Sequence, residues 1–177
     1  MLIFLIGFMG SGKSYIGKKL AERMSYNFVD LDTYILENEQ LTISEIFQNQ
    51  GESVFRIKEN THLKSLFSLE NTIVATGGGT PCFFDNMDLM CKNGITIYLY
   101  VKNEILFSRL KNEREKRPLI ADTSDEELMN IIKTKIAERS AIYESAEAIF
   151  EVKSIDDSDV INEIYDFLTV EPNSFGL

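Results

Sequence analysis

Cysteine, histidine and positive charge are all scarce in this chain of 177 residues, and each scarcity removes a class of function. The two cysteines, Cys82 and Cys91, do not stand in C-x-x-C spacing, and the single histidine, His62, cannot complete a metal site around them. They read as reduced, packing thiols of a cytosolic protein. His62 falls among the apolar positions of a helical stretch, where packing accounts for it and no chemical role is assigned. Lys and Arg number 18 against 28 Asp and Glu, a formal net charge of −10. That sign is wrong for a protein that grips nucleic acid or an anionic membrane surface, both of which are held by cations. An acidic chain that binds an anion has to gather its cations at one place. No apolar run nears the roughly 20 residues that a bilayer span requires. The short run Leu2–Ile6 has no charged leader and passes straight into a glycine-rich stretch, so it is not expected to be a signal peptide. Internal repeats and low-complexity tracts are absent as well. With 44% hydrophobic residues, the length suits one domain with one substantial core.

What the chain does have is Gly7-Phe8-Met9-Gly10-Ser11-Gly12-Lys13-Ser14, a G-x-x-x-x-G-K-[ST] stretch between an apolar run and a helical pattern carrying Ile16, Leu20 and Met24 at four-residue spacing. Glycines let the backbone turn tightly so that successive N–H groups converge on one place, and the following helix adds the positive end of its dipole. Such a place suits a polyphosphate. Lys13 is the expected charge on the β- and γ-phosphates, and Ser14 the expected ligand of the Mg²⁺ that accompanies ATP or GTP.

Taken in order, apolar runs alternate with helical stretches. Asn27-Phe28-Val29 reads as a second strand ending in Asp30-Leu31-Asp32, and Thr72 to Ala75 as a third, stopped by Gly77-Gly78-Gly79. Ile95 to Val101 is a fourth and Ala148 to Val152 a fifth. Helices are expected over 42–47, with Thr42-x-x-Glu45 as a capping box, and over 52–67, 103–111, 124–143 and 156–168. The stretch 112–123 is charged and holds Pro118, which breaks the helical pattern. Residues 171–177 are expected to be a loose tail. Strands so spaced, without hairpin signals, predict a parallel sheet covered by helices on both faces.

Phosphate-loop enzymes need an acid near the metal, and neither the third nor the fourth strand ends in one. Asp30 and Asp32 after the second strand are the candidates. Two apart on an extended segment, their side chains would point the same way, one toward the metal and one toward an acceptor hydroxyl, unless one of them caps the following helix. Arg56 shares a helical stripe with Leu63 and Phe67, and Arg139 one with Leu128, Ile132, Ile136 and Tyr143. An arginine on an inward-facing stripe needs an anion, either a structural carboxylate or an acidic substrate.

Assembled, the phosphate loop, Phe28-Val-Asp30-Leu-Asp32, Gly51-Glu-Ser-Val-Phe-Arg56, Thr76-Gly-Gly-Gly79, Arg117-Pro-Leu119 and Arg139-x-x-x-Tyr143 resemble the shikimate kinase family over residues 1 to about 168. The resemblance implies a three-layer α/β fold like that of nucleoside-monophosphate kinases, with a five-stranded parallel sheet in the order 2-3-1-4-5. It implies ATP-dependent phosphorylation of the 3-hydroxyl of shikimate in aromatic amino-acid biosynthesis. Gly10, Ser11, Gly12, Lys13, Ser14, Tyr15, Arg109 and Arg117 are then the ATP side, and Ser14 and Asp30 the magnesium side. Asp32, Arg56, Gly77, Gly78, Gly79 and Arg139 contact shikimate, and Lys13, Asp32 and Arg117 are catalytic. Helices within about 31–68 form the acceptor-binding part, 112–123 a lid, and the neighbourhood of Ser154 to Asp156 the adenine loop. A cytoplasmic monomer is expected. Another small-metabolite kinase, such as a gluconate kinase, and a nucleotide-dependent switch without transferase activity are the competing readings. The switch has no use for Asp32, Arg56 and Arg139 together.

Overall fold

The computed structural model describes residues 1–114, 120, 123–154 and 158–170. Five strands, β1 (Leu2–Ile6), β2 (Asn27–Asp30), β3 (Thr72–Ala75), β4 (Ile95–Tyr100) and β5 (Ala148–Glu151), form one sheet in the order β2-β3-β1-β4-β5, every pair parallel. β1 lies at the centre, with Leu2 opposite Thr72 on one side and Ile3 opposite Ile95 on the other.

Eight helices connect and cover the strands among the described residues: α1 (Lys13–Met24), α2 (Leu31–Glu39), α3 (Ile43–Gln50), α4 (Glu52–Ser65), α5 (Asn86–Asn93), α6 (Asn103–Lys111), α7 (Asp125–Tyr143) and α8 (Ser158–Val170). Because strand side chains alternate, β1 supplies two cores at once. Ile3 and Leu5 pack with Ile16 and Leu20 of α1, Leu106 and Leu110 of α6, and Ile164 of α8. Leu2, Phe4 and Ile6 pack on the other face with Leu31 and Ile35 of α2, Ile46 of α3, Phe55 and Leu63 of α4, and Met90 of α5. All five β1 side chains are buried. A residue of this size contributes roughly 1.5–3 kcal/mol when fully buried, so the strand before the phosphate loop is a fixed platform.

The structure settles in favour of the helix cap the alternative left open at Asp30 and Asp32, and departs from the sequence expectations at a second place. The segment after β2 is not extended through Asp32. Asp30 caps α2, its Oδ1 accepting from the N–H groups of Asp32 and Thr33 at 3.1 and 3.3 Å, so Asp32 stands in the first helical turn. A carboxylate at a strand end competes for the free N–H groups that follow it, and here that local bond starts the helix. The stretch between the glycines and β4 also holds α5, whose Asn- and Met-rich sequence shows too little apolar periodicity to be read in advance; only Asn86, Met87 and Met90 of it are buried. The Thr42–Glu45 capping box is present as expected.

Candidate active site

The phosphate loop follows β1 and leads into α1. Gly12 is the residue before the helix, at φ 97°, where a side chain would be strained; it offers no capping group, and the first turn holds no acidic residue. No side chain caps the helix start, and the positive end of α1 faces the loop, which suits an anionic ligand. Lys13 is nearly buried, and its Nζ donates to the carbonyls of Gly7 and Phe8 at 2.8 and 2.9 Å and approaches Ser11 Oγ at 3.4 Å. Ser11 is fully buried beneath the loop. Ser14 Oγ donates to Asp30 Oδ2 at 2.5 Å, tying α1 to the end of β2. A cavity of about 340 Å³ opens over this loop, lined by Gly10, Gly12, Lys13, Ser14, Tyr15, Asp30, Asp32, Arg109 and Glu113 among others. Arg109 donates from Nη1 to the Gly10 carbonyl at 2.9 Å, while its buried Nη2 has no hydrogen-bond partner among the described residues. Burial lowers the pKa of this guanidinium, and the unpaired donor is one that a polar ligand in the cavity can satisfy.

A second cavity, about 400 Å³, adjoins the first. It is lined by Ile43, Phe47 and Phe55 from the α3–α4 hairpin, by Arg56 and Glu59 of α4, by Gly77, Gly78 and Gly79, and by Arg139 of α7. Met9, Asp32 and Gly78 line both cavities, so the two open onto one wall. One mostly apolar cavity with a few charged groups beside a phosphate cavity is the arrangement of a donor site and an acceptor site.

The two arginines are held differently. α4 turns Phe55, Glu59 and Leu63 inward, and Arg56 lies at the edge of that face rather than on the predicted stripe. Its Nη1 donates to Glu59 Oε2 at 2.8 Å and its Nη2 to Glu52 Oε1 at 3.1 Å, with the ring of Phe83 4.0 Å from Cζ. The structural-carboxylate alternative therefore holds for Arg56 as it stands. Glu59 Oε1 in turn accepts from the Thr80 hydroxyl at 2.6 Å, and Asn86 donates to the Thr80 carbonyl at 2.8 Å while accepting from Asn60 at 2.6 Å. Arg139 Nη1 reaches the Gly78 carbonyl at 3.1 Å, and the Tyr143 hydroxyl donates to the same oxygen. Burial pushes the Tyr143 phenol well up, keeping it a donor. The glycine turn is small of necessity: a Cβ on Gly77 would lie 2.9 Å from Glu59 Oε1 and 3.1 Å from Asp32 Oδ1.

Asp32 opens to the cleft but is surrounded by protein, and its pKa is pushed up from 3.8 to about 6. Loss of hydration is the main cause; the charges of Asp30 and Glu59 add to it, and Lys13 and Arg56 act against it. A carboxylate so placed, at the wall between the cavities, is poised to take a proton near neutral pH.

Apart from Ser154 of the expected adenine loop, which lines neither cavity, the described site residues named from the sequence meet at these two cavities or directly beneath them. Arg117 lies outside the described residues, as do Ile155 and Asp156 of the expected adenine loop. Of the stretch 112–123, Asn112–Arg114, Ile120 and Thr123 are described; Ile120 is buried and Arg114 pairs with Asp125 at 2.6 Å. His62 Nε2 lies 2.8 Å from Glu39 Oε1, beside a Lys58–Glu39 ion pair, and joins α4 to α2. Glu59, Thr80 and Phe83 were not anticipated. The four-residue spacing Phe55–Glu59–Leu63 was the available signal for Glu59, an acid on a buried helical face.

A parallel sheet in this order, with a phosphate loop after its central strand and an acceptor cavity at the carboxyl ends beside it, defines a phosphate-loop kinase of the nucleoside-monophosphate-kinase type. A family model described as shikimate kinase matches residues 9–169, and a shikimate kinase of Phocaeicola vulgatus is 42% identical over 171 residues, 97% of this chain and 98% of that protein. The chain belongs to the shikimate kinase family. Among solved structures, a shikimate kinase from Bacteroides thetaiotaomicron superposes with a TM-score of 0.88 at 38% identity, covering 95% of this chain and 96% of that one. A shikimate kinase from Acinetobacter baumannii in complex with shikimate gives 0.87 at 29% identity, covering 97% and 94%.

Proposed function

We infer that the chain transfers the γ-phosphoryl group of ATP to the 3-hydroxyl of shikimate, giving shikimate 3-phosphate, ADP and a proton, as a step of aromatic amino-acid biosynthesis. The family match over residues 9–169 supports this reading, and the observation that carries it is the shared wall: Asp32 stands where an acceptor cavity with two arginines adjoins the phosphate loop. Phosphoryl transfer asks little covalent chemistry of the protein; it needs an aligned acceptor and cancelled charge. The N–H groups of the loop from Gly10 to Tyr15 cradle the phosphates, Lys13 bears on their charge, and the free donor of Arg109 serves the nucleotide. Arg56 and Arg139 hold the acceptor's carboxylate against Gly77, Gly78 and Gly79. Asp32 orients the acceptor hydroxyl and takes its proton.

Mg²⁺ fits the donor set. Ser14 Oγ and Asp30 Oδ2 are hard oxygen ligands side by side, and this ion binds through few protein oxygens together with phosphates and water. The absence of a cluster of three or more ligating side chains among the described residues is compatible with that. When bound, the ion neutralises charge on the phosphate oxygens. Arg117, outside the described residues, is assigned to the phosphates by the family pattern, with 112–123 as a lid. We take the enzyme to be a cytoplasmic monomer of one domain; among the described residues no helix is long and apolar enough to cross a membrane. The test is coupled ADP release with ATP and Mg²⁺ against shikimate, gluconate and other hydroxy acids. ADP release should depend on shikimate; release indifferent to any acid overturns the reading.

A further inference from the structure

Arg56 already holds two carboxylates, and an acidic acceptor brings a third. We propose that Glu52 is an intramolecular competitor for the acceptor's carboxylate, leaving Arg56 when an acidic acceptor binds and thereby setting how tightly that acceptor is held. The proposal rests on the reading of Arg56 as a carboxylate-binding residue.

The two resident partners differ in everything that decides which one yields. Glu59 is 1% exposed and held from both sides, Oε2 by Arg56 Nη1 at 2.8 Å and Oε1 by Thr80 at 2.6 Å. Pulling it away would strand a buried charge. The Glu52 side chain is 56% exposed, stands at the first position of α4, and offers one oxygen to two donors at longer range, Nε at 3.3 Å and Nη2 at 3.1 Å. It can swing into water at little cost, since an exposed ion pair contributes little.

The edge that Glu52 occupies has the geometry a planar carboxylate needs, and of this pair Arg56 lines the acceptor cavity while Glu52 meets it from outside the lining. Nε and Nη2 form two parallel donors, the geometry of a bidentate pair. The other approaches are obstructed. Phe83 lies 4.0 Å from Cζ, and the end of the fork faces Gly79 so closely that a Cβ there would be 2.8 Å from Nη2 and 2.9 Å from Nη1. With Glu52 in place, three carboxylates would share one guanidinium near Asp32. With Glu52 released, the acceptor's charge replaces its own and the balance around Arg56 is unchanged. The consequence is selectivity: only an acceptor whose carboxylate outcompetes Glu52 gains the arginine.

The experiment measures KM and kcat of the full chain and of Glu52→Gln for shikimate and for its uncharged methyl ester, at low and high ionic strength. The expected result at low salt is a KM for the acid lower by about two- to fivefold, the size of one exposed ion pair, with the ester's KM unmoved and kcat shifting by less than about a factor of two. The gain should shrink at high salt, as screening weakens the Glu52–Arg56 pair. An unchanged or higher KM for the acid overturns the proposal, and so does an equal fall for acid and ester. Arg56→Lys, checked for retained ATP binding, separates the two levels. If it raises KM for the acid more than for the ester, Arg56 is the carboxylate holder and the Glu52→Gln result stands or falls alone. If it affects both equally, the reading of Arg56 itself is wrong.

Discussion

Asp32 shows most directly how a single side chain is tuned by its surroundings. As a carboxyl with a pKa of about 6, it is a base only above that pH, so kcat/KM for the acceptor should fall tenfold per unit below about pH 6 and level off above it. A profile flat down to pH 5 excludes it as the proton acceptor. The same shift bears on stability with a definite sign. The folded protein binds a proton at Asp32 between about pH 4 and 6 that the unfolded chain does not, so stability falls as pH rises through that window and the charged group is a burden at pH 7. Asp32→Asn should therefore lose turnover yet unfold later at pH 7, by roughly 1 kcal/mol once screening by cleft water is allowed for, with the gain gone below about pH 4. Lys13→Met tests the phosphate side. The role proposed for Lys13 is to offset charge that grows during transfer, so kcat should drop by about a hundredfold or more in a protein that still folds. The sequence carried both residues because their chemistry is tied to motifs. It left open how Asp32 is presented, because whether a strand ends at Asp30 or two residues later turns on one carboxylate–amide bond, which no periodicity records.

At the scale of elements, the acceptor cavity is built by a helical hairpin and a glycine turn of unlike material. The α3–α4 pair contributes apolar walls and the Arg56–Glu59 couple; the turn after β3 contributes glycines and then Thr80. The chain Asn60–Asn86–Thr80–Glu59–Arg56 links α5 to α4 through mostly buried groups, passing at Thr80 from the main-chain carbonyl that accepts from Asn86 to the hydroxyl that donates to Glu59. Thr80→Val keeps the shape but leaves Glu59 one donor short, a cost of about 1–3 kcal/mol in a buried carboxylate. It should raise KM for shikimate and lower the unfolding temperature, whereas Thr80→Ser should restore both; equal behaviour of Val and Ser would remove the hydroxyl from the account. Little of this network was legible in advance. Long apolar repeats announced α1, α4 and α7, but α5 and its Asn86 carry weak periodicity, and a polar network depends on which helices become neighbours. From the residues alone the glycines were visible as a stop to β3, and the resemblance set them with Asp32 at the acceptor; their closeness to Glu59 emerges from the packing.

For the whole molecule, the order β2-β3-β1-β4-β5 was available through the resemblance and the parallel pairing from the alternation of strands and helices. The central place of β1 has a consequence during synthesis. Of the five strands it leaves the ribosome first, yet Leu2 pairs with Thr72 and Ile3 with Ile95, so its neighbours are the third and fourth strands to be translated. At about 5–20 residues per second the apolar Leu2–Ile6 segment waits roughly 4–14 seconds for its first partner. In that interval it is an unpaired hydrophobic strand, the kind of segment that molecular chaperones shield, and the phosphate loop behind it has no platform. Nascent chains stalled with only the first 60 residues outside the tunnel should be cleaved readily by protease within this segment. Those stalled with residues through Tyr100 exposed should begin to protect it. Early protection would mean that the N-terminal βα unit folds alone, and late protection makes ATP binding a property acquired only after the fourth strand has been translated.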